Sequence, residues 1–143
     1  MIGFSHQTFR TMSADGRNFI LIADVDYVAR DGSVYSLPAG ATSDGASTPA
    51  ELWITLPPFG AYWQAAFLHD CAYRDTLLMK DGTRATLTKQ RCDDLLLEAM
   101  EVGGVDVIQR TLIYSGVALG GENSFEADRK AGWASFMEDY HEF

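Results

Sequence analysis

The stretch QAAFLHDCAYRD, residues 64–75, decides how the chain folds. It reads as one helix, running from about Gly60 to Asp75, that is apolar almost all the way round yet carries His69 and Asp70 side by side. At about 100° per residue, Tyr62, Ala66, His69 and Tyr73 share a narrow stripe. Ala65, Leu68 and Ala72 flank that stripe, and Trp63 and Phe67 occupy another side. So little of the circumference is polar that the helix belongs in the core. A buried carboxylate without a partner is strongly unfavourable, so Asp70 needs donors, a cation or a cleft.

Working outward, a second long helix is expected from about Thr88 to Val102, stopped by Gly103-Gly104. Cys92, Leu95, Leu96, Ala99 and Met100 form its core face, and Asp94, Glu98 and Glu101 its solvated face. Asp93 breaks that pattern by falling between Leu97 and Met100 on the apolar side. A turn around Lys80 to Thr88 joins the two helices, which makes them antiparallel neighbours. His69 is then the natural partner for Asp93. A third helix is expected from about Asp106 to Leu119, ended by Gly120-Gly121, and the tail SFEADRKAGWASFMEDYHEF (124–143) has helical character.

Toward the N-terminus the period changes. In NFILIADVDYVA (18–29), Val25 and Tyr27 alternate with Asp24 and Asp26, and Asp31-Gly32 between Tyr27-Val28 and Val34-Tyr35 is a hairpin signal. In STPAELW (47–53), Ser47 or Thr48 caps a short helix with Pro49 at its first position, and Pro57-Pro58 ends it. The expected fold is α+β, a small N-terminal antiparallel sheet followed by a bundle of three or more helices. One domain spans 1–143, with its core at about 17–120 and an extension over 121–143 that can serve as a docking segment.

The bulk numbers agree. With 143 residues, 47% hydrophobic and 22% charged, the chain can bury a sizeable core. A net charge of -9 with only 11 Lys and Arg argues against nucleic acid and anionic membranes as partners, and permits a cationic partner or a bound metal. No apolar run approaches the roughly 18 residues of a membrane span. The N-terminal MIGFSHQTFR lacks the features of a signal peptide, which implies synthesis in the cytoplasm. Cys71 and Cys92 lie in expected helices without CxxC spacing and read as reduced core thiols.

Three readings fit these polar residues. The first is a structural network, in which His69, Asp93 and Tyr73 lock two helices together. The second is a hydrolase. His69 activates a water, Asp93 fixes its tautomer, and Tyr73 supports Asp93. Asp70, with Asp44 and carbonyls of the loop GATSDGAS (40–47), holds a hard cation such as calcium. The third is a transition-metal site from His69, Asp70, Asp93 and Asp44, whose spacing matches no specific motif. The network ranks first and the bare metal site last.

His69, Asp70, Tyr73 and Asp93 resemble the His-Asp helix of secreted phospholipases A2, where a second antiparallel helix also supplies an Asp. Ala65 and Ala66 stand where that family has its Cys pair, and its disulfides are missing. A longer ordered pattern runs Ser43 to Ser47, Pro49, Trp53, Tyr62, Ala66, His69, Asp70, Tyr73, Asp93, Glu98, Ala99 and Met100. Over roughly residues 17–120 it resembles the phage-associated family called domain of unknown function 1353. That resemblance implies a virion accessory protein of the tail or baseplate, made in the bacterial host cytoplasm. It would act through contacts with other phage structural proteins, as a ring or multimer within an assembly. A metal-assisted hydrolase acting on lipid or cell envelope is the alternative.

Overall fold

The computed structural model of the chain describes residues 2–6, 8–13, 19–43, 61–120, 122 and 125–130. The expected helix at 47–53, the Pro57-Pro58 break and the tail beyond 130 lie outside the described residues. The order is β1 (Gly3–Phe4), β2 (Thr11–Met12), β3 (Phe19–Leu21), β4 (Val25–Val28), β5 (Val34–Leu37), β6 (Thr42–Ser43), α1 (Ala61–Tyr73), β7 (Leu78–Met79), α2 (Lys89–Val102) and α3 (Val107–Gly120). Residues 125–130 are again helical. The fold is therefore α+β, with antiparallel strands ahead of the helices.

The strands make two small sheets, with orders β1-β4-β5-β7 and β2-β3-β6. The β4–β5 hairpin pairs Val25 with Leu37 and Tyr27 with Tyr35. It turns where Asp31-Gly32 predicts, with Gly32 at φ 90°. The Asp31 carboxylate accepts from the Ser33 N–H at 2.9 Å. Val25 and Tyr27 are buried while Asp26 is exposed, as the alternation requires. The segment joining the first two helices does more than turn. Leu78–Met79 adds to the free edge of β5, pairing Met79 with Tyr35.

The first helix is buried along nearly its whole circumference, from Tyr62 and Ala65 through Tyr73. It lies antiparallel to α2, and the chain comes close to it at Gly103. A Cβ built there would stand 2.6 Å from the Ala61 Cβ. Gly103→Ala is expected to destabilise the fold by about 1–3 kcal/mol through overpacking, read by urea denaturation. Helix α2 starts near Thr88 as expected, and the Thr88 hydroxyl caps it by accepting from the Arg91 N–H at 3.2 Å. It ends with Gly104 at φ 83°.

The acidic face of α2, expected to be solvated, is half-covered. Glu98 accepts from the Tyr27 hydroxyl at 2.7 Å and from the Arg30 N–H at 3.2 Å. Asp94 accepts from Gln90 at 2.8 Å and from the Tyr114 hydroxyl at 2.9 Å. The sheet on one side and α3 on the other use these carboxylates as anchor points. None of the helices among the described residues is long and apolar enough to cross a membrane.

Candidate functional site

The antiparallel contact of α1 and α2 brings His69, Tyr73 and Asp93 together as their helical angles predict. The His69 Nε2 lies 2.8 Å from Asp93 Oδ1, and the Tyr73 hydroxyl donates to the same oxygen at 2.6 Å. The rings of His69 and Tyr73 are 4.0 Å apart, centroid to centroid. His69 is 1% exposed and Asp93 2%. The second carboxylate oxygen, Asp93 Oδ2, accepts from Lys89 Nζ at 2.7 Å. Lys89 also donates to the Val117 carbonyl at 2.9 Å, at the C-terminal end of α3 where a cation suits both the free carbonyls and the helix dipole.

Burial works to raise the Asp93 carboxyl pKa. Hydrogen bonds from His69, Lys89 and Tyr73 outweigh burial and hold it below the ordinary carboxylate range. The same burial, reinforced by the bond to Asp93, pushes the Tyr73 phenol far up, so it stays a neutral donor. An ionised Asp93 can only accept. The proton between it and His69 therefore sits on Nε2, and in the neutral imidazole Nδ1 then carries the lone pair. Nδ1 is buried and has no hydrogen-bond partner among the described residues.

A pH dependence follows from the depressed Asp93 pKa. Above the ordinary carboxylate pKa of about 4, the group is ionised whether folded or unfolded and its stabilisation is full. As pH falls toward and through the lower folded value, the unfolded chain takes up the proton first and the stabilisation is lost. Thermal unfolding should therefore show the stability gap between wild type and Asp93→Asn at its full width above about pH 5 and narrowing below about pH 4.

Asp70 finds a donor on β6. It accepts from the Ser43 hydroxyl at 2.5 Å, which ties α1 to β6. One residue away in β6, the Thr42 hydroxyl accepts from Arg74 at 2.6 Å. The stretch 40–47 thus reaches α1 through Thr42 and Ser43, while Asp44 lies outside the described residues. Calcium takes six to eight oxygens. Among the described residues no group of three or more His, Cys, Asp or Glu side chains is arranged to hold a metal. Asp44 and the carbonyls of residues 44–47, which complete the expected cation site, lie outside the described residues, and no step below runs through a cation. Cys71 and Cys92 are free and buried, and burial pushes both thiols up to about 12.

Two residues escape the angular reading. Lys89 stands four positions before Asp93, a spacing that puts both on one side of α2 and is visible in the sequence. Arg129 carries no such signal. It donates to the carbonyls of Ala72 at 3.2 Å, Tyr73 at 3.2 Å and Leu87 at 2.7 Å, capping the end of α1. Its guanidinium lies 4.7 Å from the Phe125 ring centre, and Phe125 packs edge-on against Tyr73 at 5.1 Å. Residues 125–130 therefore pack onto the site side of α1.

Fold and site together define an α+β domain built around a buried His-Asp-Tyr constellation spanning two antiparallel helices. The chain belongs to the family described as protein of unknown function (DUF1353), whose model matches residues 19–117. That span takes in both helices, all three residues of the constellation and its lysine, and most of α3. Comparison with curated proteins and with solved structures gave no match.

Proposed function

We propose that the protein is a hydrolase in which His69 is the general base. The observation that carries this reading is the asymmetry of one imidazole: Nε2 is held by Asp93, and Nδ1 is left without a partner among the described residues. A histidine serving only to rivet two helices gains by satisfying both nitrogens, because a buried unsatisfied polar atom is destabilising. In the proposed step Nδ1 takes a proton from water as the water oxygen bonds to the acyl or phosphoryl centre. The imidazolium, stabilised by Asp93, then returns that proton to the leaving oxygen as the ester bond breaks. Asp93 and Tyr73 are positioning residues. With His69 at 1% exposure, substrate enters only when the packing around the ring opens.

The shared His-Asp-x-x-Tyr order with secreted phospholipases A2 directs the substrate class to esters of lipid or cell-envelope material. The test is a panel of such esters assayed with the wild-type chain and His69→Gln, with folding of both checked by circular dichroism. Turnover by wild type and its loss in the folded variant support the reading. No turnover of any ester, or equal turnover by both proteins, overturns it.

A second reading is favoured by a different observation. Helix α3 holds Ile108, Leu112 and Leu119 in the open, which suits a protein that works by contact. In that reading the chain is a phage virion accessory protein of the tail or baseplate, made in the host cytoplasm, and the buried network serves as a rivet. Mass spectrometry of purified particles tests it. The chain at stoichiometric level supports it, and absence from the particle rejects it.

A further inference from the structure

Helix α3 buries only Ile113 and Val117, and Ile108, Leu112 and Leu119 stand 68%, 56% and 89% exposed. Along one ridge, at every fourth residue, the exposed positions read Ile108, Leu112, Gly116, Gly120. Two large side chains are followed by two positions with none. A Cβ added at Gly116 or Gly120 would meet nothing within 4 Å. Gly120 ends the helix, where glycine is ordinary. Gly116 lies inside it, where glycine is the least favourable residue short of proline. No neighbour among the described residues requires that side chain to be missing.

We infer that α3 packs antiparallel against α3 of a second copy of this chain, with a two-fold axis near Tyr114. Antiparallel placement sets Leu112 of one copy over Gly116 of the other, and Ile108 over Gly120. The ridge is complementary to its own reverse, which is what an isologous two-fold contact requires and what an unrelated partner does not. Charge points to the same occupant. The chain carries -9, a net charge that opposes pairing of two copies except through an uncharged face. The single charged residue in Val107–Gly120 is Arg110, which turns back to donate to the Val105 carbonyl at 2.9 Å. The face also lacks the Lys and Arg that hold an amphipathic helix on an anionic membrane. A helix of 14 residues is about 21 Å long, so the contact is a small one and the dimer a weak one.

Sedimentation equilibrium on the full chain tests the pairing. Wild type should dimerise reversibly. Leu112→Gly removes the knob and Gly116→Leu fills the hole, and each should weaken dimerisation by at least about tenfold. The double variant Leu112→Gly with Gly116→Leu swaps knob and hole, keeps the helix composition, and should restore the wild-type dimer. Circular dichroism confirms that each variant is folded. Four results would overturn the inference: a wild-type chain that stays monomeric at all concentrations, single variants that dimerise like wild type, a double variant no better than the singles, or monomeric wild type co-floating with phosphatidylcholine vesicles.

Discussion

Asp93→Ala is expected to lower the unfolding free energy by about 3–5 kcal/mol, the range for removing one partner of a buried charge pair. Three donors converge on this carboxylate, from His69, Tyr73 and Lys89. Alanine leaves all three facing a void. Lys89, 15% exposed at its side chain, can turn partly to water, but His69 and Tyr73 cannot. The fall in Tm should be on the order of 10 °C. The neighbouring Asp94→Ala is the control. It removes bonds from Gln90 and Tyr114 at a half-covered position and should change stability by about 1 kcal/mol or less. Equal effects at the two positions would mean that Asp93 is not the hub of the helix contact.

The second large effect is on chemistry. His69→Gln should reduce turnover of a responsive ester by about 10²–10⁴-fold, the usual contribution of a positioned general base. Glutamine can still donate toward Asp93, so the folded state is largely kept and kcat falls without a matching loss of binding. Tyr73→Phe removes only one of the donors to Asp93 and should cost less in rate than the His69 change. A Tyr73→Phe variant as dead as His69→Gln would make the phenol itself a reacting group, contrary to the assignment.

Much of this arrangement could be read in the chain before any coordinates. Asp93 stood out because an acid fell between Leu97 and Met100 on the apolar side, where it needs a partner, and His69 on α1 was the obvious one. Gly103-Gly104 marked the end of α2 because helix stops leave residue-specific traces. Asp31-Gly32 marked the hairpin in the same way. What stayed hidden depended on distant chain segments. Strands β1, β2, β6 and β7 are two residues each, too short to show a period, and exist because a neighbouring edge offers hydrogen bonds. The division into two sheets followed from those pairings. Ser43 looked like a loop residue until β6 placed it over Asp70. Arg129 reaches back across 42 residues to the Leu87 carbonyl, a contact that no local pattern encodes.

The central claim is that His69 carries its proton on Nε2 and keeps Nδ1 bare. Nitrogen-15 NMR of the imidazole at about pH 8, above the ordinary histidine range, measures this directly. The account predicts a protonated Nε2 coupled to a hydrogen-bonded proton and an Nδ1 with the shift of an unprotonated nitrogen. A protonated Nδ1, whether in the opposite tautomer or in an imidazolium, would contradict it.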